Sequence, residues 1–151
     1  AAKKGAEKKS AKVVAAIEEI KKSSGKEIGK VSKRELWLLG VVLYWKNGNK
    51  NNLKKGVHFS SADPAMIKLF LKWLFEIGGL KKEEISFDIF CGKDGQEEAK
   101  SYWSGIASFP HIYVYKKEYQ KSILRVRVKA SSMLARQING WINALKNHLA
   151  L

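Results

Sequence analysis

Apolar and polar positions divide this chain into stretches with different periods. In residues 1–31 the larger side chains are few, and Val13, Ile17 and Ile20 recur at helical spacing, predicting a helix near 9–22 that Ser23-Ser24-Gly25 breaks. Ser32-Lys33-Arg34-Glu35 then reads as a capping box opening a second helix. Its continuation, Leu36 to Trp45, is apolar on every side and ends in the turn residues Asn47-Gly48-Asn49. A helix without a polar face must be surrounded by protein, which points to a partner helix as well as the chain's own core. Asp63-Pro64 starts a third helix, Asp as N-cap and Pro at its first position, with Ile67, Phe70, Leu71 and Leu74 on one stripe.

Strands alternate with these helices. Val57-His58-Phe59-Ser60 and Ile85 to Phe90 read as strands, 96–106 as a short helix, and 111–116 and 122–129 as two further strands. The last has the clearest period of two: Leu124, Val126 and Val128 point one way, Arg125, Arg127 and Lys129 the other. A final helix carries Leu134, Ile138, Trp141, Ile142, Leu145 and Leu149. This order predicts an α+β domain over 32–151, antiparallel in its sheet, preceded by a basic helical arm or linker at 1–31.

Charge narrows the partner. The chain has 151 residues, 29 Lys+Arg against 14 Asp+Glu, and a net charge of +15. That exceeds the roughly 2–8 charges that solubility asks of a small domain, so a polyanion is the expected partner, nucleic acid first. The excess is uneven: net −4 over residues 76–98, against +8 over 99–151 and +11 over 1–75. The longest apolar run, Leu36 to Trp45, is too short for a bilayer, which needs about twenty residues. The single Cys91 excludes a disulfide framework. With no signal-peptide pattern, the expected setting is reducing and cytoplasmic.

Three cations spaced by two on one strand cannot face an apolar core without partners, so their face is expected to meet solvent or a ligand. Tyr113, Tyr115 and Lys117 share one parity on the preceding strand, and His58 and Ser60 share one on the first. If these strands pair, one sheet face is cationic and aromatic. The expected DNA-binding set is Lys50, Lys54, Lys55, His58, Tyr113, Tyr115, Lys116, Lys117, Lys121, Arg125, Arg127 and Lys129. His58, His111 and His148 have no metal-ligand spacing, and no G-x-S-x-G or phosphate loop occurs. The acids at 83–98 read as a solvated loop and helix.

Leu39 to Gly48, followed by Val57-His58-Phe59-Ser60-Ser61-Ala62-Asp63-Pro64 and by Arg125-Val126-Arg127-Val128 before a helix at Ser131, resembles the LAGLIDADG homing endonuclease family. The likeness is nearest a divergent bacterial branch with one motif copy, and covers roughly 33–145. It implies a saddle-shaped antiparallel sheet lying in the DNA major groove, helices packed on its other face. It also implies a homodimer through the 35–47 helix, with Leu36, Leu39, Gly40 and Leu43 at the interface.

The family's metal-binding acid falls at Asn47, which keeps a carbonyl oxygen but lacks the charge that holds a hard cation, and Lys46 stands beside it. The motif's first glycine aligns with Val42, two residues after the actual Gly40. In the bacterial branch a helix-turn-helix often precedes this domain, and the arm at 1–31 reads as a remnant connection to one. The leading expectation is therefore double-stranded DNA binding with cleavage lost or weak. An active Mg²⁺-dependent endonuclease is the first alternative, Mg²⁺ being a cofactor only if nuclease activity is retained. An RNA-binding or protein-interaction module is the second.

Overall fold

The computed structural model describes residues 2–107, 112–116 and 121–151. It divides into two units, Ala1–Ser32 and Lys33–Leu151. The first is a single helix, α1 (Ala2–Ile28), with no buried residue. The predicted break at Ser23-Ser24-Gly25 does not occur. Ser23 returns its hydroxyl to the Ile20 carbonyl at 3.0 Å, and one helical glycine costs only about 1 kcal/mol among good helix formers. The helix stops at Gly29, whose positive φ of 59° is the left-handed end that glycine takes without strain.

The second unit runs α2 (Lys33–Asn47), β1 (His58–Ser61), α3 (Pro64–Glu76), β2 (Ile85–Cys91), α4 (Gln96–Ser104), β3 (Ile112–Lys116), β4 (Ile123–Val128) and α5 (Ser132–His148), an α+β fold. Its four-stranded sheet has the order β1-β4-β2-β3. β4 lies between β1 and β2 and is antiparallel to both, whereas β3 is parallel to β2. The sheet is therefore mixed, not antiparallel as expected. The physical reason is α4, which packs on β2 and β3 and returns the chain to the end at which β2 began.

The core lies on one face of the sheet. Phe59, Phe87, Ile89, Leu124 and Val126 are fully buried there with Ile67, Phe70, Trp73 and Leu74 of α3. Phe70 stacks between Phe59, with centroids 4.5 Å apart, and Trp73 at 5.9 Å. Asp63 caps α3 as its sequence requires, its Oδ1 accepting from the Ala65 N–H at 2.9 Å.

α2 corrects a second expectation. Leu36, Gly40 and Leu43 are buried in the unit's own core, so three of the four residues assigned to a dimer interface are not at the surface; Leu39 is 48% exposed. Gly40 sits where a Cβ would run into the indole of Trp73, and that indole N–H donates to the Trp37 carbonyl at 3.0 Å. The glycine thus serves the approach of α3 to α2. Among the described residues no helix is long and apolar enough to cross a membrane.

Candidate nucleic-acid interface

Alternation along β4 sends Leu124, Val126 and Val128 to the core and leaves Arg125 and Arg127 on the opposite face. The register builds that face in three rows. His58 pairs with Arg127, which pairs with Ser86; Ser60 pairs with Arg125, Arg125 with Asp88, and Asp88 with Tyr113; Ile123 pairs with Phe90, and Phe90 with Tyr115. His58, Ser60, Arg125, Arg127, Phe90 and Tyr115 are thus on one side of four strands.

The two arginines are not simply solvated. Asp88, fully buried in β2, accepts from both. Arg125 Nε donates to its Oδ2 at 2.8 Å; Arg127 Nε shares that oxygen, and Arg127 Nη2 reaches Oδ1 at 3.0 Å. Arg125 also lies over the Phe90 ring, 4.9 Å from its centroid, and Phe90 stacks on Tyr115 at 5.3 Å and 19°. The arginine side chains remain 30% and 37% exposed, and Tyr115 44%. Asp88 and Phe90 are the site residues that sequence reasoning missed. The signal was present: Ile85, Phe87 and Ile89 alternate toward the core, which sends Ser86, Asp88 and Phe90 to the other face.

Lysines border this face. Lys54 and Lys55 form a 3-10 turn ahead of β1, Lys129 follows β4, Lys121 precedes it, and all four are exposed. From one end of β4 to the other is about 20 Å at the rise of an extended strand. The cations act on His58: burial first, then Arg125, Lys55 and Arg127, push its pKa below the ordinary 6.5, against the opposing pull of Asp88. Lys50 turns elsewhere, donating to the Trp45 carbonyl at 2.6 Å. Tyr113 and Lys116 are placed by strand register alone, and Lys117 lies outside the described residues.

At the end of α2, Asn47 donates its side-chain N–H to the Ser60 carbonyl at 3.0 Å and so ties the helix to β1. Among the described residues no group of three His, Cys, Asp or Glu side chains could hold a metal ion. The arrangement around Asn47 does not fit Mg²⁺: its nitrogen donates to Ser60 and its side-chain oxygen carries no charge, whereas a hard cation needs several oxygen ligands, carboxylates foremost.

In comparisons with known proteins, no family model, no curated protein and no solved structure matches this chain.

Proposed function

We propose that this protein binds double-stranded DNA through the sheet face of Arg125 and Arg127, on a scaffold resembling the homing endonucleases, with cleavage lost or weak. One observation carries the reading: two guanidinium groups are held side by side on the polar face of a sheet, with exposed lysines beyond both ends of the strand that bears them. Guanidinium forks suit phosphate oxygens and guanine edges, and flexible lysines suit the phosphates to either side. The scaffold reading rests on the motif helix, the β1 to Asp63-Pro64 phrase and the basic strand before α5; the parallel β3 departs from it. The reading of lost or weak cleavage is supported by Asn47, which tethers β1 where the resembling family places a metal-binding acid.

The test is duplex binding measured against salt. The log K against log salt plot should be steep, each neutralised phosphate contributing about −0.9. Arg125→Ala, with Arg127 left to hold Asp88, should weaken binding about tenfold, the worth of one good arginine contact. Lys146→Ala on α5, whose ammonium lies over Trp45 at 5.2 Å, should leave binding nearly unchanged. A flat salt plot, or equal losses in the two variants, overturns the reading.

A second reading has its own support. The Phe90–Tyr115 stack beside Arg125 offers a flat aromatic surface for unpaired bases. Tighter binding to single strands than to duplexes of the same length would favour it.

A further inference from the structure

We infer that Asp88 is a positioning residue: it fixes Arg125 and Arg127 as a rigid seat for a backbone phosphate, so that the face reads DNA backbone more than base sequence. The inference rests on the duplex-binding reading above. A carboxylate in the middle of a basic surface lowers its charge, and an exposed acid there would oppose binding. Asp88 is not exposed. It is fully buried in β2, and its two oxygens meet three guanidinium nitrogens.

The way each arginine is held matters. Arg127 presents one whole edge, Nε and Nη2, to the carboxylate. Arg125 gives up Nε, and its ring-side face lies against Phe90. Among the described residues its terminal amino groups carry no hydrogen bond. Both side chains are thus fixed near the sheet rather than reaching from it. A free arginine loses much rotamer freedom when it enters a groove to read a base edge. Here that freedom is already gone, and the fixed guanidinium end of Arg125 meets an anion that comes to the sheet surface. Phosphate oxygens do so; base edges lie deeper in a groove.

Asp88→Asn provides the test, because positioning and bulk charge predict opposite signs. The substitution removes a negative charge. If Asp88 were only a counter-charge, the variant would bind random-sequence duplex DNA more tightly than the native protein. If it positions the arginines, the variant binds about fivefold more weakly despite its greater charge, since oriented charge-assisted contacts are lost. Its salt plot then becomes shallower by about one phosphate, roughly 0.9. Arg125→Lys is the companion, at a partly exposed position that keeps its charge but has no Nε–Nη fork. It should lose as much affinity as Arg125→Ala; native affinity in Arg125→Lys contradicts the inference even where Asp88→Asn fails to fold. Strong discrimination among duplex sequences by the native protein also contradicts it. The failures are distinguishable: Asp88→Asn binding more tightly removes the positioning role alone, whereas Arg125→Ala without effect removes duplex binding by this face altogether.

Discussion

Arg127 meets Asp88 through two parallel contacts, Nε to Oδ2 and Nη2 to Oδ1, the second at 3.0 Å, across neighbouring strands of one sheet. The pair is therefore structural as well as electrostatic. Asp88→Ala should destabilise the fold by about 1–3 kcal/mol, the worth of hydrogen bonds to a charged group, with the exposure of both arginines keeping the figure low. Replacing Arg125 and Arg127 together should cost more, about 3–5 kcal/mol, because a buried carboxylate is left without a partner. Adding Asp88→Asn to that double variant should restore part of the loss. Urea unfolding of the three variants checks the order; a triple variant less stable than the double would contradict it.

Gly40 admits no side chain. A methyl group there meets the Trp73 indole, so Gly40→Ala should destabilise the protein by about 1–3 kcal/mol, the usual cost of overpacking, although alanine is the better helix former. A rise in the denaturation midpoint would show that α2 and α3 can separate without penalty.

Asn47→Asp restores the acid that the resembling family carries, yet it replaces the donor to the Ser60 carbonyl with an acceptor. The expected outcome is a loss of about 0.5–1.5 kcal/mol in stability with no gain of Mg²⁺ binding by calorimetry. Micromolar Mg²⁺ binding by the variant would mean that other acids converge on this point.

His58 supplies a pH dependence with a definite sign. Its pKa in the folded protein lies below 6.5, chiefly through burial and then through Arg125, Lys55 and Arg127. Between the ordinary and the lowered value the unfolded chain binds more protons than the folded one, so stability falls as pH drops through that window. His58→Gln should flatten this part of the profile. A phosphate on the same face would instead favour protonated His58, so duplex affinity should rise between about pH 7 and pH 5.5, and less so in the variant. Affinity independent of pH in the native protein would place the phosphates away from β1.

What could be read from the sequence follows the range of the forces involved. The cap at Asp63 and the alternation of β4 are local, fixed by neighbours one to four residues away, and both stand in the structure. The orientation of α2 was not legible, because a helix apolar all round has no phase: nothing in its own pattern says that Leu36, Gly40 and Leu43 face inward while Leu39 does not. The direction of β3 depends on where α4 packs, a tertiary matter. The ion pairs of Asp88, though not the face it lies on, were hidden for a related reason. Its acidic neighbours in sequence suggested a solvated segment, while its partners lie 37 and 39 residues further on.

The order β1-β4-β2-β3 has a bearing on how the chain matures. The strand made last is the second one in space, wedged between two that precede it by more than thirty residues. Until Ile123–Val128 has been synthesised, β1 pairs with no other of the four strands and β2 with only one. A nascent chain ending near residue 120 therefore lacks the strand that joins β1 to β2. Closure of the sheet is a late, long-range event, the kind that sets a slow folding rate and leaves truncated products prone to aggregation.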